Sequence, residues 1–296
     1  MGYIYLYGQI MTTEHFLLEG EYPKADTNVE LKERHYLLGG ETGTAAAVLV
    51  SLGCNVTLGG THLGDENVNV ILNYFKGKSA DTGKLHYEKG FQGVVDYMII
   101  ANGTRTGLGR WGYLYSLKEP WYEQPDEEAV KNCTVVGADP YFGDKIVEYC
   151  RRYHKKYATI DCTFDSDMNR YCAVNVLSHE HLELTYPGQD YGELFRLYTD
   201  HTDGLIIFTF GEKEIMYGRM GQEPKFFRPY PIHVVSTLGA GDSFKAGTIY
   251  ALDHGMSDDD LVRFASATAG AACENYPIPL NPPTLEKIRE IQSRKR

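Results

Sequence analysis

What the chain has little of narrows its chemistry before any motif is read. Its 296 residues contain no uninterrupted apolar run of the roughly 18 that a membrane-crossing helix needs. No basic segment followed by an apolar stretch opens the chain, which begins at once with a strand-like run at 3–7, so a soluble, unexported, cytoplasmic protein is expected. Positive charge is scarce. The 29 Lys and Arg are outnumbered by 40 Asp and Glu, and a net charge of −11 argues against nucleic acid or an anionic membrane as a partner, because both need clustered cations. The six cysteines are scattered with no C-x-x-C pair, which indicates neither a zinc site nor a disulfide framework. Internal repeats and low-complexity stretches are also missing.

What is present suits a large α/β core, since 43% of the residues are apolar. Strand-like runs at 3–7, 56–58, 134–136, 158–160, 173–177 and 205–209 alternate with helical patterns at 42–52, 67–76 and 145–154. Two further helices are expected near 258–273 and 284–294, the last introduced by Pro282 and Pro283. Such alternation predicts a doubly wound, mostly parallel sheet flanked by helices. Residues 11–38 and 86–117 break the rhythm. They hold strand-like runs, 94–100 above all, and no helical period.

The most informative segment is Ser236 to Gly247, reading S-T-L-G-A-G-D-S-F-K-A-G. The β-branched run at 233–237 precedes it, and Phe244, Ile249, Tyr250 and Leu252 follow at roughly helical spacing, which predicts strand, turn and helix. A glycine turn at a helix start offers backbone N–H groups and the positive end of the helix dipole to an anion. Gly239 and Gly241 let that backbone approach a phosphate closely, and Asp242 stands where it can take a proton from an attacking hydroxyl. Taken alone, the same turn also reads as a simple helix cap.

This segment resembles the C-terminal signature of the ribokinase-like (PfkB) carbohydrate kinases, D-T-x-G-A-G-D-x-F-x-x-G, at every fixed position but the first, which is Ser236 here. Further resemblances follow along the chain. Gly39 to Ala46 with Leu52-Gly53 is similar to the G-G-x-x-x-N-x-A signature, Gly64-Asp65-Glu66 to a G-D-D step, and Thr209 to Lys213 to the T-x-G segment beside the nucleotide. The resemblance implies one ribokinase-like domain over 1–296, with the insertions near 11–38 and 86–117 pairing into a small β-sheet lid. It implies ATP-dependent phosphorylation of a hydroxyl, a primary alcohol, on a sugar or sugar derivative, with Mg2+ and a homodimer through the lid. Asp242 would be the base, and the Gly239, Ala240 and Gly241 amides would stabilise phosphoryl charge. Thr209, Gly211 and Thr237 would hold the nucleotide, and Glu14, Gly39, Gly40, Thr44 and Arg105 the acceptor.

Several positions depart from the family pattern. Thr44 replaces the asparagine that contacts sugar hydroxyls, and Thr13 replaces an early aspartate, leaving Glu14 as the nearest carboxylate. Ser236 replaces an aspartate that supports a monovalent cation, and a neutral hydroxyl weakens the case for one. The N-x-x-E element falls on Ser178-His-Glu-His181, where Glu180 is the candidate metal-organising carboxylate after a shift of one register. His179 and His181 would share a face on an extended segment, although no third ligand stands at zinc spacing. Gly107 to Gly112 matches G-x-G-x-x-G but lacks the strand-turn-helix context of a dinucleotide site, so a lid loop is the simpler reading. Arg105 and Arg110 suit an anionic sugar or simply solvent. A nucleoside kinase of the same fold and a non-catalytic sugar-binding relative remain the alternatives.

Overall fold

The computed structural model describes residues 2–117 and 120–295. Thirteen strands are present among the described residues: β1 (Ile4–Gly8), β2 (Met11–Leu18), β3 (Leu31–Gly39), β4 (Val56–Gly60), β5 (Ala80–Asp81), β6 (Val95–Ala101), β7 (Thr104–Gly109), β8 (Val136–Ala138), β9 (Tyr157–Ile160), β10 (Val174–Ser178), β11 (Leu205–Thr209), β12 (Ile215–Gly218) and β13 (Lys225–Phe227). The α-helices are α1 (Glu41–Ser51), α2 (Val68–Phe75), α3 (Trp111–Ser116), α4 (Glu127–Asn132), α5 (Gly143–Arg152), α6 (Asp167–Arg170), α7 (His179–Thr185), α8 (Tyr191–Thr199), α9 (Ala240–Asp253), α10 (Asp258–Glu274) and α11 (Leu285–Gln292).

Nine strands form the main sheet in the order β13-β12-β11-β10-β9-β8-β1-β4-β5. Those from β11 to β5 pair in parallel, and β12 and β13 add an antiparallel edge. The strands are apolar at consecutive positions because both faces are covered. Along β1, Ile4 and Leu6 join the core beneath α1, α9 and α10, while Tyr5 and Tyr7 join the one beneath α4 and α5. Along β11, Ile207 points to the first of these cores, and Ile206 and Phe208 pack with Leu194, Phe195 and Tyr198 of α8.

The two insertions build a separate sheet in the order β3-β2-β6-β7. Its registers put Thr13 beside Asp96, His15 beside Met98, Asp96 opposite Gly109 and Ile100 opposite Arg105. Since side chains alternate along a strand, these residues share one face. That face looks toward the main domain. The His15 and Tyr276 rings stack at 5.9 Å, and the N–H and hydroxyl of Thr237 both reach the Gly103 carbonyl at the β6–β7 turn, at 3.3 Å each.

Four expectations need correction. Residues 233–237 are not a strand: Val235 and Ser236 donate their N–H groups to the Cys273 carbonyl at the end of α10, so this backbone is satisfied by a helix terminus instead of a sheet neighbour. The strand expected at 134–136 lies at Val136–Ala138. His179 and His181 begin α7, where an i, i+2 pair diverges round the helix, which removes the shared face. Finally, the first two glycines of G-x-G-x-x-G lie inside β7 and the third inside α3, so the segment is a lid strand and helix and not a loop.

Candidate active site

Strand order reverses at β1, from which the chain runs to β4 and β5 on one side and to β8, β9, β10 and β11 on the other. Loops leaving the carboxyl ends of such strands diverge and open a crevice. Gln9 leaves β1 and Asp139 leaves β8 at this point. The Asp139 carboxylate accepts from the N–H groups of Gln9 and Tyr141, both at 3.0 Å.

The turn into α9 lies over the same region. Gly239 has φ 79° and ψ 9°, a left-handed conformation that would cost a residue with a Cβ about 1–2 kcal/mol. A Cβ there would also come within 2.6 Å of Ile278 Cδ1. The turn uses some of its own donors, since Ala240 N–H reaches the Thr237 carbonyl at 3.2 Å and Ser243 N–H the Gly239 carbonyl at 2.9 Å. Gly241 and Asp242 follow in the first turn, where N–H groups have no preceding carbonyl within the helix. Open space lies in front of Gly241. An anion can therefore seat on this helix end.

Asp242 is the third residue of α9. Its carboxyl is pushed up to about 7, mainly by burial; the positive charges of Lys245 and Arg105 pull it down, the negative charge of Asp139 adds to the rise, and a hydrogen bond with the Thr44 side chain lowers it. A carboxylate poised near neutral pH can both accept a proton and surrender it. One turn later Lys245, 1% exposed, donates its ammonium to the Glu41 carboxylate and, at 2.8 Å, to the Ala138 carbonyl. Glu41 opens α1, and burial raises its pKa well above the usual carboxylate range.

The acceptor candidates divide. The Thr44 side chain hydrogen-bonds Asp242 and the Arg105 charge acts on it, and Gly40 precedes α1 with Gly39 beside it. Gly39 packs so closely on Thr13 that a Cβ there would stand 1.9 Å from the Thr13 hydroxyl oxygen. Glu14 is not brought in: strand alternation turns it to the opposite face of the lid, where it pairs with Arg34. Asp96, which no motif in the sequence marks, is the lid carboxylate that stands on the inner face, beside Thr13. Its only sequence signal was a lone carboxylate inside a β-branched run.

Thr209 ends β11 with its hydroxyl 3.3 Å from the Leu177 carbonyl, and Gly211 turns with φ 63° against open space. Thr237 joins the turn into α9 to the lid through the Gly103 carbonyl. Glu180 is exposed and pairs with His179 at 3.0 Å. Ser178 caps α7 through the His181 N–H, and Asp161 accepts from the Ser178 N–H and hydroxyl at 2.8 and 3.2 Å. Among the described residues no three His, Cys, Asp or Glu side chains converge to hold a metal.

A reversed-order parallel sheet, a glycine turn over its carboxyl ends and a small sheet above them define the ribokinase fold. A solved Arabidopsis thaliana ribokinase complexed with ribose and ATP superposes with a TM-score of 0.80 at 15% identity, covering 99% of both chains. A Methanocaldococcus jannaschii nucleoside kinase, an archaeal member of the ribokinase family, gives 0.75 at 17% identity, covering 99% of this chain and 98% of that one. The chain belongs to the pfkB family of carbohydrate kinases, whose family model matches residues 1–277. It is also similar to a 5-dehydro-2-deoxygluconokinase of Clostridium beijerinckii, 22% identical over 283 residues that cover 86% of this chain and 83% of the relative. Membership makes it a carbohydrate kinase, a phosphotransferase with an alcohol group as acceptor. No helix among the described residues is long and apolar enough to cross a membrane.

Proposed function

We propose that this kinase transfers the γ-phosphate of ATP to a primary alcohol of a sugar or sugar derivative, with Asp242 as the base. The observation that carries the reading is the Asp242 carboxyl itself, held in the first turn of α9 against the Thr44 side chain and within the field of Arg105, with its pKa pushed up to about 7. Asp242 takes the hydroxyl proton as the oxygen attacks. The amides of Gly239 and Gly241 form the cradle for phosphoryl charge, while the Ala240 N–H closes the turn on the Thr237 carbonyl; Gly241 is the member facing open space. Thr237, Thr209 and Gly211 line the nucleotide side, and Gly39, Gly40, Thr44 and Arg105 the acceptor side. The lid excludes water from the transfer.

The residues fit a magnesium ion carried by phosphates and water. Buried carboxylates crowd the crevice at Glu41, Asp139 and Asp242, favouring a cation, yet the described side chains form no cage of their own. Bound magnesium would neutralise charge on the β- and γ-phosphates. Glu180 is the candidate for organising metal-bound water, and the neutral Ser236 hydroxyl is a poorer ligand for a monovalent cation than a carboxylate.

The far face of the lid sheet carries stacked Phe16 and Tyr97 rings, with Tyr36 and Leu108 exposed beside them. A second copy covering that face makes a homodimer, and a single-chain mass in solution would contradict it. The test of the kinase reading is ADP release from magnesium-ATP by the protein and by Asp242→Asn across sugars, sugar acids, sugar phosphates, fructosamines and nucleosides. Acceptor-dependent release that disappears in the variant is expected, and release that persists in it excludes Asp242 as the base.

A further inference from the structure

Asp96 is 2% exposed and has one carboxylate oxygen, Oδ1, without a hydrogen-bond partner among the described residues. Leaving such an acceptor buried and unused costs stability, so its retention calls for a donor that arrives from outside. Burial holds its carboxyl up at about 6, while the Thr13 hydroxyl leans on it from the neighbouring strand. Thr13 in turn packs on Gly39, and the next residues, Gly40 to Thr44, lead to the side chain that touches Asp242. Side-chain contacts at either end and the short stretch of chain from Gly39 to Thr44 thus connect Asp96 with the base.

An aromatic ring lies next to it. Trp111, 40% exposed, sits over the two glycines of β7: a Cβ at Gly109 would come within 2.4 Å of its ring, and one at Gly107 within 3.9 Å. Gly109 is directly opposite Asp96. The glycines thereby clear a flat bed on which the indole rests beside a free carboxylate oxygen. An apolar ring face next to a buried acceptor matches the two sides of a carbohydrate, whose C–H face packs on an aromatic while its hydroxyls donate.

We propose that Asp96 is a specificity-determining residue, whose free oxygen accepts a hydroxyl of a sugar ring seated against Trp111. The inference deepens the kinase reading and rests on it for the identity of the pocket. It also states what this end of the pocket refuses: a substrate carboxylate or phosphate placed here would meet a buried negative charge, so an acidic group must point elsewhere.

Two readouts test it. In the first, quenching of tryptophan fluorescence is followed while D-ribose, D-fructose, myo-inositol and 5-dehydro-2-deoxy-D-gluconate are each added to about 10 mM, above the ordinary range of KM values. The expected result is quenching by at least one of them that vanishes in Trp111→Phe, weakens about tenfold or more in Asp96→Ala, and survives in Asp242→Asn. In the second, ADP release with that sugar should give Asp96→Ala a sugar KM raised about tenfold or more, with the KM for ATP and kcat within about threefold. A merely structural role would lower stability and move both KM values together. No quenching by any of the four, or equal quenching and equal sugar KM in Asp96→Ala, overturns the proposal and leaves the kinase reading standing. Quenching that needs Asp96 while no acceptor yields ADP overturns the kinase reading alone.

Discussion

The Asp242 carboxyl carries the most consequences at the scale of one residue. Its ordinary pKa is 3.8 and its folded value about 7, so the stability that its protonation lends is complete below the first value and is lost as pH rises through the second. At pH 8 the ionised group therefore costs the free protein stability. Asp242→Asn should raise the melting temperature at pH 8, by an amount worth about 2 kcal/mol, and leave it nearly unchanged at pH 4. The same variant should lose roughly 10²–10⁴-fold in kcat. Opposite movements of stability and turnover are what a strained functional group produces. The pH profile follows from the same cause: kcat/KM for wild type should rise with pH along a limb centred near 7. Lys245 holds that limb down, since its charge favours ionised Asp242, so Lys245→Met should move it to higher pH. A limb that stays in place after the substitution would remove Lys245 from the electrostatics of the site. Neither Lys245 nor Asp96 was legible in the sequence. A lysine in a helix and an aspartate in a strand are ordinary surface residues until the fold buries one against Glu41 and the other against Thr13.

At the scale of elements, the account turns on how the α9 turn is held. Gly239 needs its left-handed φ and has Ile278 against it, so Gly239→Ala should cost about 1–3 kcal/mol in chemical denaturation and lower kcat with it. An unchanged unfolding midpoint would mean that the turn relaxes freely. The segment before the turn is anchored from outside. Arg294 reaches Glu274, Glu290 and the Pro231 carbonyl, and Glu274 also accepts from His233 N–H, so α11 clamps the approach to the site. These contacts hold the Glu274 carboxyl well below the usual carboxylate range, led by the Arg294 hydrogen bond, and the stability they add is lost as pH falls. Arg294→Ala should cost about 1 kcal/mol at pH 7, after allowing for solvent screening, and less in acid. The elements themselves were largely legible. Parallel strands buried on both faces read as apolar runs, and Pro282 with Pro283 marks the start of α11 correctly. The run at 233–237 misled because β-branched composition reports fit to a sheet, and here α10 supplies the acceptor that a neighbouring strand would have supplied. Glu14 misled for a simpler reason, because one residue along a strand is the other face.

For the whole molecule, the proposed chemistry lies at the β1 switch point and the proposed choice of acceptor in the lid. The motif around Asp242 was readable from order and spacing because a glycine turn and a carboxylate at a helix start are local features. The proposed acceptor side was not, because it draws on β2, β6, β7, α1 and α3, which are distant in sequence. The bonds from Thr237 to Gly103 tie the two halves together, so the lid and the anion turn should close as one unit.

The most direct test of the central claim is ADP release from magnesium-ATP by wild type and Asp242→Asn with a panel of sugars and nucleosides, each protein first checked for ATP binding. The account predicts release that requires an acceptor with a free primary alcohol and falls by roughly 10²–10⁴-fold in the variant while ATP affinity is retained. Turnover surviving in Asp242→Asn, or ATP binding without turnover on any acceptor, would contradict it.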